Sequence, residues 1–309
     1  MTEVDDLFMA AKIGIRAWID FAFRKIFGKP GNEICLISLL NSVLELNQPI
    51  VSVEFLNPFS YKDFEDDKLV CVDVKATDPL GRVFIVEVQI VVHSSFAKRA
   101  VYYACKAYAD QLQAGQGYGR LKATYSVCLL MRRLWDDDQL HHHFQLVERA
   151  SGMAVEESIE IHTVELSKYN VGKDAVSRSS GLEQWCYWIK YANEHTVEEL
   201  RELLPGLAFL QATNELRDIQ EITEEKEMYD SREKATLDYE SNLIDARQEG
   251  RQEGREERLA NGEAIGRVKT YQELIGEKVT SDEELSRMTV DQLVSMITQL
   301  QARLRERNA

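Results

Sequence analysis

The sequence lacks the features that mark a membrane, secreted or disulfide-stabilised protein. Its longest apolar runs have the length of a β-strand and are interrupted by charge, so none predicts a membrane-spanning helix. The first stretch, MTEVDDLFMAAK, is acidic and has neither a basic flank nor a cleavage site, so we expect no signal peptide. The five cysteines are odd in number and scattered, which predicts buried, reduced thiols in a cytoplasmic protein.

Several well-known catalytic patterns are also missing. No glycine-rich phosphate loop follows a strand, because Gly115, Gly117 and Gly119 come after a predicted helix. No Ser-His-Asp or Cys-His arrangement has a supporting context. Three histidines at 141–143 follow three aspartates at 136–138, but consecutive residues cannot all point at one ion and no cysteine pair supports zinc. We predict a surface loop there.

The composition, 44% hydrophobic and 29% charged, is that of a globular protein. The net charge of −15 argues at first against a nucleic-acid partner. Most of the negative charge lies after residue 180, so the first part of the chain can still carry a local basic surface.

Hydrophobic periodicity predicts an α/β domain over residues 1–175, with a mixed sheet flanked by helices. A helix is predicted at 32–46 with Asn32 as its N-cap, and another at 96–113. The predicted strands are at about 50–56, 69–75, 82–92, 123–131, 144–149 and 157–166.

Residues 181–309 are predicted to be helical, after a Ser/Gly-rich joint at 177–181. A stalk at about 207–260 contains a four-residue repeat that places Gly250 and Gly254 on nearly the same side of a helix. Each glycine costs about 1 kcal/mol relative to alanine, which a close approach of a second helix would offset. A solvated stalk and a self-associating one, giving a homo-oligomer, both remain open. The terminal helices are predicted to be amphipathic, with one apolar side: Leu293, Met296, Ile297 and Leu300.

The turn at 78–81 sets the register of the two central strands. Its sequence, Asp-Pro-Leu-Gly, suits a type I turn followed by a left-handed glycine that closes a hairpin. Asp78 then faces Arg82, and counting back along the strands places Asp73 opposite Glu87.

The same register places Cys71 opposite Gln89, so that Asp73, Glu87 and Gln89 share one face. Opposed carboxylates are destabilising unless something compensates them. One possibility is a divalent cation, since Mg²⁺ is held by one or two carboxylates together with waters and phosphate. The other is an exposed face on which water and Lys75 screen the charges. The opposite face is entirely apolar: Val70, Val72, Val74, Phe84, Val86, Val88 and Ile90.

Five segments of the chain resemble the Rpn family of recombination-promoting nucleases, or transposase-associated proteins, of the PD-(D/E)XK nuclease superfamily. The resemblance spans about residues 15–170, and the glycine-punctuated tail is similar to tails in that family. The segments are DFAFRKIFG (20–28), LISLLNSVL (36–44), VDVKATDPLGRVFIVEVQ (72–89), FAKRAVYYACKAYADQLQAGQGYGRLK (96–122) and IEIHTVELSKY (159–169).

The resemblance implies an Mg²⁺-dependent DNA endonuclease, with Mn²⁺ as a substitute, that is linked to recombination or to mobile or defence-related DNA. Asp73 and Glu87 would be the metal-binding carboxylates, and Gln89 would stand where the superfamily has a lysine. Glutamine can orient water but brings no charge, so we expect slow turnover. Glu33 is a candidate further carboxylate, or else it stabilises the helix dipole.

The helix after the second central strand carries candidate DNA-binding residues, Lys98, Arg99, Tyr103 and Lys106. They could equally form a solvated face. Two other classes of function are weighed against the nuclease: a catalytically weak or inactive DNA-binding or assembly protein that keeps the fold, and a helical scaffold without DNA affinity.

Overall fold

A computed structural model describes residues 11–64, 73–91, 95–155 and 158–307 of the 309-residue chain. Within these ranges six strands form one mixed sheet: β1 (Glu54–Phe55), β2 (Asp73–Thr77), β3 (Val83–Gln89), β4 (Thr124–Leu130), β5 (His141–Gln145) and β6 (Ile159–Glu165). The strand order is β1-β2-β3-β4-β6-β5. The pairs β3–β4 and β4–β6 are parallel, and the other neighbours are antiparallel.

Helices flank the sheet and continue to the end of the described chain. They are α1 (Asp20–Gly28), α2 (Glu33–Leu44), α3 (Phe96–Ala109), α4 (Lys173–Val176), α5 (Gly181–Tyr191), α6 (Val197–Leu203), α7 (Leu207–Glu221), α8 (Thr223–Ile275), α9 (Asp282–Leu285) and α10 (Val290–Arg307). Short 3₁₀ turns occur at Tyr61–Phe64, Tyr118–Arg120, Leu166–Lys168 and Ala192–Glu194. The predicted α/β core followed by a helical region is confirmed. No helix in the described ranges has the length and apolar content needed to cross a membrane.

The two faces of the sheet are covered differently. One face is apolar and shares a large core with α1, α2, α5 and α7, so its strands bury side chains at every second position. The other face packs against α3 through a small cluster of Phe96, Ala100, Cys128 and Leu130. The buried strand residues in the large core are Val74, Ala76, Phe84, Val86, Val88, Tyr125, Val127, Leu129 and Val164.

The chain divides into two compact units. The first ends at Asp238 and includes α5 and α7, whose Trp185, Trp188 and Leu216 are fully buried in the large core. The second begins at Tyr239. There the last part of α8 packs with α9 and α10, and the predicted apolar side of α10 supplies Leu293, Ile297 and Leu300. The domain boundary at 175–181 stays a prediction.

Several predicted elements differ in the structure, among them the strand predicted at 144–149, which is β5 at His141–Gln145. β1 is much shorter than 50–56; at Ile50 the Asn41 side chain donates to the backbone C=O and accepts from the backbone N–H, each at 2.8 Å. The helix α3 ends at Ala109, not at 113. Asn32 precedes α2 but its side chain makes no cap bond; it donates instead to the Lys25 carbonyl oxygen at 3.0 Å.

The surface loop predicted at 141–143 is wrong. These residues begin the edge strand β5, whose backbone pairs with β6. Side chains alternate along a strand, so His142 lies on one face of the sheet and His141 and His143 lie on the other. Three consecutive histidines therefore cannot all bind one ion, as expected.

Candidate active site

The hairpin of β2 and β3 has the predicted turn and register. The Gly81 N–H donates to the Asp78 carbonyl oxygen at 2.9 Å, and Gly81 has φ of 78°. The Asp78 carboxylate accepts from the Arg82 N–H at 2.9 Å and pairs with its guanidinium. Asp73 stands directly opposite Glu87. Cys71, the predicted partner of Gln89, lies outside the described residues.

Glu87 lies in the middle of the sheet, between Asp73 of β2 and Cys128 of β4. Its side chain is almost completely buried, with 3% of the residue exposed. A carboxylate in that position needs positive charge nearby, because burial disfavours the ionised form. Arg99 supplies some of it: its Nη2 lies 3.6 Å from Glu87 Oε1, which is an ion-pair distance but too long for a hydrogen bond.

Arg99 also contacts Gln89. Its Nη2 donates a hydrogen bond to Gln89 Oε1, and its guanidinium lies 5.3 Å from the centre of the Phe96 ring. The local sequence explains this arrangement, since α3 begins soon after β3 and places Arg99 in its first turn over the polar end of that strand. Arg99 therefore joins Glu87 and Gln89 into one group, a role that the phosphate-contact prediction for Arg99 did not include.

The other predicted DNA-binding residues lie along α3. Lys98 and Lys106 are exposed, and Tyr103 is half-buried beside Tyr102. Lys106 forms an exposed ion pair with Asp110 at 3.7 Å. These positions suit contact with a phosphate backbone but equally suit a solvated face, so the DNA-binding role stays a prediction.

Glu33 is in the first turn of α2, where its carboxylate accepts from the Gly31 N–H at 3.0 Å. That bond and the helix dipole account for a glutamate at this position. Its assignment as a further catalytic carboxylate stays a prediction.

The residues of the hairpin fit a hard divalent cation. Residues directly opposed in an antiparallel pair have Cβ atoms about 5 Å apart, so two carboxylates there can share one ion. Mg²⁺ and Mn²⁺ favour carboxylate oxygens. Glu87 offers a buried carboxylate, and Gln89 adds a polar amide on the same face, at the end of β3.

A second group of polar residues lies two strands away on the same face. Glu165, fully buried, pairs with Lys168 at 2.9 Å and accepts from the Leu134 N–H at 2.7 Å. In the register Glu165 is aligned with Leu130 and, through it, with Gln89. Glu165 is not among the predicted site residues. The signal in the sequence is the three-residue spacing of Glu165 and Lys168 at a strand end, which one helical turn brings together.

A cluster of histidines occupies the other face of β5 and β6. His143 Nε2 lies 2.7 Å from Glu160 Oε2, and His162 Nε2 lies 3.7 Å from the same oxygen. The Nε2 of His141 lies 2.9 Å from His162 Nδ1. Burial lowers the pKa of His141 to about 4 and also lowers the pKa of His162, so both rings are neutral at pH 7.

A family model described as PD-(D/E)XK nuclease family transposase matches residues 17–246, which is well over half of the chain. The chain belongs to this family. The match confirms the resemblance to the Rpn, transposase-like proteins of the PD-(D/E)XK superfamily. It includes the whole described sheet with its hairpin, α3 and the first unit from residue 17 onward. Such nucleases typically use divalent metals and act on DNA. No curated protein and no solved structure matches the chain.

Proposed function

We propose that the protein is a metal-dependent DNA endonuclease whose centre is the hairpin of β2 and β3. The observation that carries the proposal is the direct opposition of Asp73 and Glu87 in the sheet of a PD-(D/E)XK family member. By family analogy the setting is recombination or mobile or defence-related DNA.

Asp73 and Glu87 would hold Mg²⁺, with Mn²⁺ as a substitute. When bound, the ion lowers the pKa of water and neutralises charge on the phosphate. Glu87 keeps its position because it lies in the middle of a strand that is hydrogen-bonded on both sides, which limits its movement.

Gln89 and Arg99 together take the place of the superfamily's lysine. Arg99 occupies the amide oxygen of Gln89, so the amide nitrogen remains to donate toward water or a phosphate oxygen. The positive charge comes from Arg99 itself. A guanidinium cannot accept a proton, so this pair stabilises negative charge but does not act as a general base. We therefore expect slow turnover.

The exposed Lys98 and Lys106 extend the positive charge of Arg99 along α3. Each phosphate that such a cation neutralises strengthens binding and adds to its dependence on salt. A second candidate function, DNA binding or assembly without useful catalysis, is favoured by one observation: the lysine position of the superfamily holds Gln89.

The test is single-turnover cleavage of supercoiled plasmid in Mg²⁺, Mn²⁺ or EDTA. We compare the wild type with Asp73→Asn and Glu87→Gln, and use Asp110→Asn, at the exposed C-terminal cap of α3, as the matched control. We expect metal-dependent nicking that falls by more than about a hundredfold in both hairpin variants, since each removes a metal ligand, and that persists in the control.

Equal cleavage by all four proteins would contradict the proposal. If no protein cleaves, salt-dependent DNA binding in EDTA, unaffected by Asp73→Asn, would support the non-catalytic alternative. Absence of DNA affinity would support a helical scaffold. Binding of Mn²⁺ followed by electron paramagnetic resonance gives a separate readout of the ligands.

A further inference from the structure

We propose that His143, Glu160 and His162 form a binding site for a divalent transition-metal ion, with Zn²⁺ as the ion their chemistry fits best. The ligand atoms of the three side chains lie within 4.8 Å of one another. Two imidazole nitrogens and one carboxylate oxygen are a common protein ligand set for zinc, and they leave the fourth tetrahedral position to water.

The strand register builds this group. His143 of β5 stands directly opposite His162 of β6, and Glu160 is two residues before His162, so all three side chains share one face. His162 is aligned with Val127 of β4, which belongs to the large apolar core. The site therefore has an apolar floor on one side, while the edge strand β5 opens it to solvent on the other.

The strongest sign of a ligand is the Nε2 atom of His162. Only 2% of the surface of this residue is exposed, and Nε2 has no hydrogen-bond partner among the residues that the structure describes. Glu160 Oε2 faces it at 3.7 Å, too far for a hydrogen bond. A buried ring nitrogen without a hydrogen-bond partner is unfavourable, and a metal ion bound between Nε2 and the Glu160 carboxylate would satisfy both groups.

His141 holds the ring of His162 in a suitable orientation. The 2.9 Å contact between His141 Nε2 and His162 Nδ1 occupies one ring nitrogen and leaves the other for a metal. Histidine ligands usually have their second nitrogen hydrogen-bonded in this way, which sets the tautomer.

Metal binding requires a modest rearrangement. The rings of His143 and His162 are stacked, with centres 4.3 Å apart and planes at 14°, so they must tilt for both nitrogens to point at one ion. Ligand atoms around tetrahedral zinc are about 3.3 Å apart, which follows from bonds of about 2.0 to 2.1 Å. The His143 side chain is 42% exposed and lies on the edge strand, so it has room to turn.

This site is independent of the proposed nuclease centre. By strand alternation it lies on the opposite face of the sheet from Glu87, and its neighbour His142 faces away, toward Asp137 at 2.9 Å. A metal here would cross-link the edge strand β5 to β6.

The experiment titrates the full-length protein with Zn²⁺ against a chromogenic chelator and with Co²⁺ by visible absorption. The variants are His143→Gln and Glu160→Gln, and the matched control is His142→Gln on the same strand. We expect one equivalent of Zn²⁺, a Co²⁺ spectrum without thiolate charge transfer, and affinity reduced by more than about tenfold in both site variants but unchanged in the control. Zinc should raise the Tm of the wild type and of the control.

Absence of stoichiometric binding by the wild type would overturn the proposal. So would an equal loss of affinity in His142→Gln, or a thiolate band, which would assign the metal to a cysteine such as the exposed Cys105. Circular dichroism of each variant shows whether it keeps its fold. If His143→Gln unfolds, the proposal is tested by the Zn²⁺ affinity of Glu160→Gln and by the Co²⁺ spectrum of the wild type.

Discussion

Arg99 is the residue whose contacts change the interpretation of the hairpin most. As a helix residue in a basic stretch it suggested a phosphate contact, but its guanidinium reaches Glu87 and Gln89 on the neighbouring strand. An uncharged residue at the lysine position therefore does not leave the site without positive charge. The charge comes from α3, the next element of the chain.

We expect Arg99→Gln to lower the single-turnover cleavage rate by about thirtyfold to a thousandfold, because preorganised charge of this kind contributes roughly 2 to 4 kcal/mol to catalysis. Arg99→Lys should recover part of the rate. Adding Gln89→Lys to Arg99→Gln should also recover activity, since it returns a cation to the position where the superfamily has one.

The control is Lys98→Gln, the exposed neighbour of Arg99, which should weaken DNA binding at higher salt but leave the saturated rate unchanged. If Arg99→Gln and Lys98→Gln have the same effect, Arg99 is only a phosphate contact. If adding Gln89→Lys to Arg99→Gln does not restore the saturated cleavage rate, this would also argue against a shared role of Gln89 and Arg99.

At the scale of elements, glycine is required by the backbone conformation in the hairpin but not in the long helix α8. Gly81 has a positive φ that other residues adopt at a cost of about 1 to 2 kcal/mol, so it is needed for the turn that sets Asp73 against Glu87. In α8, Gly250 and Gly254 are in an ordinary helix, and an added Cβ at either position would meet nothing within 4 Å. The cost of these two glycines is therefore not offset within their own chain.

We predict that α8 associates with a second copy of the chain through the side that carries Gly250 and Gly254. The double variant Gly250→Ala/Gly254→Ala should then lower the oligomeric mass, because the added methyl groups prevent close approach of two helices. Size-exclusion chromatography with light scattering measures the mass, and Gln252→Ala on the same helix is the control.

The alternative is a solvated stalk, for which the two alanines should stabilise the helix by about 1 kcal/mol each. An unchanged mass together with a higher melting temperature by circular dichroism would establish that alternative.

At the scale of the molecule, the first unit depends on helices that follow the sheet. Lys25 of α1, 1% exposed, forms an ion pair with Glu225 of α8 and another with Glu215 of α7 at 3.4 Å. Asp20 pairs with the buried Arg232. Removing one partner of a buried pair costs about 3 to 5 kcal/mol, so the sheet and α7–α8 are expected to be stable only together.

We therefore expect a chain truncated after residue 238 to unfold cooperatively and a chain truncated after residue 180 to fail to fold. The shorter chain loses Trp185 and Trp188 from the core and leaves Lys25 buried without Glu215 or Glu225. Thermal unfolding and limited proteolysis measure the stability of the two truncated chains. A stable, cooperative 1–180 fragment would support the sequence-based division at 175–181 instead.

The sequence by itself determined the class of fold, the hairpin and its register. These follow from local chemistry: alternation of apolar residues marks the strands, and the Asp-Pro-Leu-Gly turn permits one pairing, so the opposition of Asp73 and Glu87 could be predicted. The Rpn-like segments added the family, which the family match confirms.

Only the tertiary structure decided which distant residues meet. The contact of Arg99 with Gln89 depends on how α3 packs on the sheet, and the pairing of His143 with His162 depends on β5 lying beside β6. The ion pair of Asp20 with Arg232 joins residues 212 positions apart. Periodicity reports which side of an element is buried but not what it is buried against, so such contacts between elements are set by packing of the whole chain.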